Sequence, residues 1–237
     1  GPPPKYAGAE VPPATDFKNL RYYLTCDDID TKQVKEAVSG MLVGKLGDRV
    51  EVTDGVRGKA LRMTVERRNG QAERVAGIEL DPKALAVDAN KPFTLSFWVR
   101  RDPAVISPAP QLNAVLAGGE KGKPVLNCAV MPAHAAAMVQ DTGPEQRVGR
   151  IAPARTHEWT HCALVRDDKN RVAWWVNGGP TAVPATAPAE FAGELAYEFF
   201  DLVSPVIGMV RLDIDEFALF DRALTDDELK KLAGKGK

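Results

Sequence analysis

The segment from Phe93 to Val99 reads FTLSFWV, and its side chains alternate strictly in character. Phe93, Leu95, Phe97 and Val99 share one face, while Thr94, Ser96, Trp98 and Arg100 share the other. A period of two marks a β-strand, because successive side chains of an extended chain point to opposite sides of a sheet. The pattern recurs along the chain. Trp159 to Arg166 reads WTHCALVR, with Cys162 and Leu164 on one face. Leu212 to Phe220 alternates through Leu212 and Ile214, and then either turns Glu216 inward or slips by one residue at a bulge before Phe217 and Leu219. Arg171 to Val176 runs into Asn177, Gly178 and Gly179, with a further β-rich run from Thr181. Asn-Gly between two such runs predicts a tight hairpin.

Helical signals are few. A weak one covers Thr31 to Ser39. A stronger one starts at Thr225, where Thr225 and Glu228 have the spacing of a capping box and Lys230 and Lys231 lie near the C-terminal end. Stretches rich in Pro, Gly and Ala separate the strands, at about 102–124 and 177–193. No unit of 20–50 residues repeats, which disfavours solenoids and propellers. Strands divided by turns, without alternating helices, predict an all-β antiparallel sandwich with a short C-terminal helix. Residues 1–19 begin with Pro2, Pro3, Pro4, Pro12 and Pro13 and read as a proline-rich linker or tether, which leaves 20–237 as one domain.

Composition limits the function classes. Lys+Arg 31 against Asp+Glu 32 gives a formal charge of −1, too little positive charge to grip a polyphosphate backbone. No run of about 18 apolar residues exists to span a membrane as a helix. Cys26, Cys128 and Cys162 lack the paired short spacing of a zinc site and are too few for a disulfide framework. They read as small buried hydrophobes, with one bridge at most. The first residue is Gly1 rather than Met, so a compartment is not legible at the ends.

Several segments, in order, resemble the laminin G-like jelly-roll domains of the concanavalin A-like lectin/glucanase superfamily. They are Leu20 to Asp27 (LRYYLTCD), Val52 to Met63 (VTDGVRGKALRM), Pro92 to Val99, Glu158 to Val165 with the Val176–Gly178 turn, and Ile214 to Leu224 (IDEFALFDRAL) with the helix start after it. Together they span roughly 20–232. The polar loop common after the first strand of such domains is replaced here by a Lys/Val segment at 30–39, and 102–155 matches nothing in the family pattern. The resemblance implies a jelly-roll β-sandwich and a non-catalytic recognition module of an exported protein, located outside the cell, in a periplasm or on a surface. Its implied partner is a polysaccharide or glycoprotein glycan. A structural or protein-interaction module without a small ligand is the alternative.

Sugar recognition needs aromatic faces and nearby polar groups. Trp98, beside Thr94, Ser96 and Arg100, and Trp175, on a face with Asn177, are the candidate ligand-binding residues. The bland alternative for both rings is a place beneath a loop or the C-terminal helix, where large aromatics often lie. The resemblance also implies Ca²⁺, an ion that takes six to eight hard oxygen ligands. Asp27 and Asp215 are its candidate ligands, because the first and last strands are neighbours in these sandwiches. Turn capping and hydrogen bonds to main-chain amides are the ordinary alternative for the same residues.

Catalysis is less well supported. Retaining glucanases of the superfamily carry two carboxylates on one strand face, at a separation of about 5–5.5 Å. Here Arg211 occupies the place of the first glutamate, and Asp213 and Asp215 are the two acids left on one face. A glycoside hydrolase or lyase is therefore the weakest of the three readings. His134, His157 and His161 show no zincin register, and Gly118 to Lys123 lacks the spacing of a phosphate-binding loop.

Overall fold

Asn177 and Gly178 have φ values of 50° and 72°, the left-handed pair that a two-residue hairpin requires. Val176 pairs with Gly179 across them, so the predicted hairpin forms. The structure, a computed structural model, describes residues 10–47, 50–68, 71–72, 78–79, 91–101, 113–118, 125–131, 134–140, 146–147, 152–153, 158–169, 171–181, 185–186, 197–199 and 209–235.

Two antiparallel sheets make a sandwich. The first contains β1 (Leu20–Leu24), β2 (Val50–Asp54), β3 (Lys59–Arg68), β4 (Phe93–Arg101), β5 (Thr160–Arg166), β6 (Arg171–Val176) and β7 (Met209–Phe220). Its order is β6-β5-β4-β7-β3-β2, with β1 also paired to β7. The second sheet runs Gln146–Arg147, His134–Gln140, Val125–Met131, Asn113–Gly118, Tyr197–Phe199, Ile78–Glu79, Leu42–Leu46, Gln33–Lys35 and Ile29–Asp30.

The alternation in β4 assigns its two faces. Phe93, Leu95, Phe97 and Val99 are buried with Leu164, Trp174, Ile214, Phe217 and Leu219, and the rings of Phe97 and Trp174 lie 6.2 Å apart. Burying an apolar side chain of this size contributes about 1.5–3 kcal/mol, so this face is the principal core. The opposite face is also closed. The helix α1 (Asp226–Leu232) sets Leu229 and Leu232 against Trp175, Val165, Ala218 and Phe220. Its capping box forms as expected between Thr225 and Glu228. Arg222 holds Glu228 with two 2.7 Å bonds, which keeps that carboxyl down at about 2.

Two expectations change. The helix expected over 31–39 is instead a strand, Gln33–Lys35, followed by a turn. Buried Glu36 accepts the main-chain N–H groups of Tyr23, Val38 and Ser39, and a carboxylate that caps a turn in this way competes with helix. The tether expected to run to residue 19 ends earlier. Val11 and Ala14 are buried on the first sheet, and Phe17 meets Phe220 edge to face at 6.4 Å. The packed domain therefore includes Val11 to Phe17.

Candidate functional site

Strand β7 changes partner halfway along one edge. Met209 to Ile214 pair with β3, and Phe217 to Phe220 pair with β1. The change falls at a bulge. Opposite β4, Asp215 pairs with Trp98 and Ala218 with Ser96, which leaves one extra residue on β7. Glu216 takes up the excess with a φ of 51°. The slip resets the alternation, so Phe217 and Leu219 turn into the core while Ala218 and Phe220 face α1.

Because β1 and β3 meet β7 on either side of this bulge, their ends converge on it. The end of β1 brings Thr25, Cys26 and Asp27, and the turn between β2 and β3 brings Gly55 to Gly58. Asp215 is fully buried and accepts main-chain N–H groups from Glu216 at 2.8 Å and Arg57 at 3.2 Å, with Val56 adding a third. Asp27 Oδ1 accepts the N–H of Lys59 at 2.6 Å. The Tyr23 hydroxyl donates a hydrogen bond to Glu216 Oε2. The Arg57 guanidinium stands 4.0 Å from the same oxygen. Glu216 Oε1 is buried and has no hydrogen-bond partner.

The glycines of the turn are required by this closeness. A Cβ on Gly55 would lie 2.3 Å from Asp215 Oδ2, and one on Gly58 would lie 2.1 Å from Asp27 Oδ1. Gly58 also has a φ of 62°.

Charge dominates the chemistry here. Burial, then the neighbouring Glu216, pushes the Asp215 carboxyl up to about 9. Burial pushes Glu216 up to about 7, against the Tyr23 hydrogen bond and the Arg57 charge. The Cys26 thiol is pushed up by burial and then by Asp215, Glu216 and Asp27. Three carboxyl groups thus gather around Cys26, and the Arg57 guanidinium approaches one of them, Glu216. Hard cations take oxygen ligands, and here the oxygens of Asp27 and Asp215 already accept main-chain N–H groups. Among the described residues no three His, Cys, Asp or Glu side chains stand together as a ready-made metal site. An ion here would thus take two carboxylates and main-chain oxygens.

The sequence candidates separate. Asp27 and Asp215 do come to the same turn, through the main-chain amides that were their ordinary alternative. Trp98 is 1% exposed, packed with Val11, Ala60, Trp159 and Val56, and its ring lies 5.2 Å from that of His161. Trp175 is 6% exposed and covered by α1. Neither ring offers an open face for stacking. Asn177 closes its hairpin, with Oδ1 accepting the His161 N–H at 2.9 Å and its own N–H donating to the His161 carbonyl at 2.8 Å. Sequence reasoning does not reach Glu216, Tyr23, Arg57 or Cys26 as site residues, although Gly55, Gly58 and the Asp215-Glu216 pair lie within the segments that carry the resemblance.

The two acids on one face of β7 do not make a hydrolytic pair. Asp213 is buried between Arg62, with bonds of 2.7 and 3.0 Å, and Arg100, with bonds of 2.7 and 2.9 Å. Arg100 in turn stacks on Trp159, 4.6 Å from the ring centroid. Ser96 and His161 lie 2.9 Å apart, but both are buried and His161 Nδ1 has no partner. Of the cysteines, Cys26 and Cys162 are buried thiols. Cys128 lies in a strand whose side chains are outside the described residues, and so does His134; His157 lies outside them altogether.

A family model, the laminin G-like model described as "Concanavalin A-like lectin/glucanases superfamily", matches residues 74–230, well over half of the chain. The chain belongs to this superfamily. A search of the curated proteins finds none that matches. Solved structures match in fold. The binding domain of Paraclostridial Mosquitocidal Protein 1 aligns at 16% identity and a TM-score of 0.65, over 91% of this chain and 52% of that one. The binding domain of Botulinum neurotoxin DC, solved in complex with rat synaptotagmin II, aligns at 11% and 0.67, over 91% and 51%. This chain therefore spans about half the length of those toxin domains. Domain 4 of AbnA, a GH43 extracellular arabinanase from Geobacillus stearothermophilus solved with arabinotriose, aligns at 20% and 0.64, over 91% of this chain and 98% of that one. At these identities the likeness is one of fold.

Proposed function

We propose that this chain is a non-catalytic, glycan-binding module of an exported protein. The observation that carries the reading is the end-to-end match to an arabinanase domain solved with arabinotriose, which covers 98% of that domain. The site chemistry agrees with binding rather than hydrolysis, since Asp213 is held by Arg62 and Arg100 and Asp215 by main-chain amides. With Trp98 and Trp175 buried, the contact surface lies elsewhere on the sandwich. No helix among the described residues is long and apolar enough to cross a membrane.

Calcium belongs to the same proposal. Asp27 and Asp215, with main-chain oxygens of the turn between β2 and β3, are the residues that would hold it. The ion supplies positive charge that ties the end of β1, that turn and the β7 bulge together. The main-chain donors to both carboxylates hold the turn in the ion's absence, so calcium is expected to add stability rather than to permit folding.

A protein partner is the second reading. It is favoured by the turn that Glu36 fixes, which exposes Val38 by 48%, Met41 by 65% and Leu42 by 43%. A glycan array probed with the purified chain, with calcium and with chelator, tests the main proposal. Selective binding to one class of glycan is expected, and an array blank under both conditions moves the assignment to a protein partner.

A further inference from the structure

The first sheet ends at β2. Among the described residues β3 pairs along one side of Val50–Asp54, and no strand pairs along the other. The ladder between β2 and β3 runs without a bulge, from Val50 opposite Met63 to Asp54 opposite Lys59. Across the connecting turn the Gly55 N–H donates to the Gly58 carbonyl at 3.0 Å. Antiparallel pairs alternate between bonded and non-bonded, so Glu51 and Thr53 turn their main-chain groups toward β3, while Val50, Val52 and Asp54 turn theirs outward. The outward Val50 N–H is taken by the Gly47 carbonyl at 3.3 Å, and the Asp54 carbonyl accepts from Arg100 at 3.3 Å. Both main-chain groups of Val52 face the open edge.

The side chains carry the same signal. Val99, Ile214 and Leu61 stand opposite one another on β4, β7 and β3, and all three are buried. Val52 is next in this row, opposite Leu61, yet it is 55% exposed. The core row therefore runs off the end of the sheet with an aliphatic side chain. Sheet edges are commonly blunted by lysine, proline or a bulge, and VEVTD has none of these. The strand also complements itself. Turned about Val52, two antiparallel copies set Val52 against Val52, Glu51 against Thr53 and Val50 against Asp54, so no acid directly opposes an acid. We propose that the open edge of β2 pairs with the same edge of a second copy, which joins the two first sheets into one. Each Val52 N–H donates to the Val52 carbonyl of the other copy, and each Asp54 N–H to the other Val50 carbonyl. The pairing does not depend on the glycan reading, but it would carry two modules in one assembly and so raise avidity for a repeating polysaccharide.

Sedimentation velocity of the intact chain, over about a hundredfold range of concentration, tests it. A monomer–dimer equilibrium is expected. Val52→Lys changes an already exposed side chain and brings two ammonium groups together on the two-fold axis, and it is expected to weaken dimerisation by at least about tenfold. Thr53→Lys sets an ammonium opposite each Glu51 and is expected to tighten dimerisation by about fivefold. Thermal melting checks that both variants fold, and Thr53→Lys carries the test by itself if Val52→Lys does not. A chain that stays monomeric throughout overturns the inference and leaves the edge to an extended segment of another protein. A dimer that Val52→Lys leaves intact, or that Thr53→Lys fails to tighten, is built elsewhere or in another register and also overturns it.

Discussion

Asp27 Oδ1 accepts the main-chain N–H of Lys59 at 2.6 Å, a bond between residues 32 positions apart. It seats the turn between β2 and β3 against the end of β1. Gly58 precedes Lys59 with a φ of 62°, and a Cβ there would collide with the same carboxylate. Gly58→Ala therefore combines backbone strain with a lost hydrogen bond and is expected to cost about 1–3 kcal/mol. Thermal melting of the variant checks this. An unchanged melting temperature would show that the turn is not seated as described.

Trp98 and Trp175 are structural here. Truncation of either to Ala is expected to cost roughly 3–5 kcal/mol, the usual penalty for emptying an aromatic site in a core. Glycan affinity, measured below the variant's melting range, is expected to persist. A stable variant that has lost binding would return the ring to the contact surface.

Asp213 is the shared anion of Arg62 and Arg100, and Arg100 is 7% exposed. Asp213→Asn leaves a buried guanidinium without its counter-charge, at an expected cost of about 3–5 kcal/mol. Chemical denaturation measures it directly. A loss below about 0.5 kcal/mol, the size of an ordinary surface substitution, would contradict the buried network.

His161 is fully buried beside Trp98 and Ser96, and burial lowers its pKa from 6.5 to about 3. The unfolded chain binds its proton at the ordinary value, so between pH 6.5 and 3 the unfolded state holds the extra proton. The stabilisation is complete above pH 6.5 and declines as pH falls, by up to about 1.4 kcal/mol per pH unit from this residue. Denaturation curves across that range, compared with His161→Gln, check it. Equal slopes in the two proteins would refute the assignment.

The sandwich was legible because its strands announce themselves locally. The alternation of Phe93 to Val99, the Asn177-Gly178 turn and the Thr225/Glu228 cap each depend on a few adjacent residues, and each is found. What covers each face depends on distant residues. Thr94, Ser96, Trp98 and Arg100 look like a solvent face, yet α1 and the segment around Val11 close over that side of the sheet and all four are buried. The same closure hides the two tryptophans and brings Val11, Ala14 and Phe17 into the domain. At the site, Asp27 and Asp215 could be named from their strands. Glu216 could not be placed, because the choice between a regular strand and a bulge decides which face it takes, and both fit the sequence from Ile214 to Leu219.

The proposed module binds glycan without turning it over. Native affinity electrophoresis through gels containing single polysaccharides, arabinan among them, run with calcium and with chelator, tests it most directly. Retarded migration is expected in at least one gel, with the polysaccharide left uncleaved. Free migration in every gel under both conditions would contradict it.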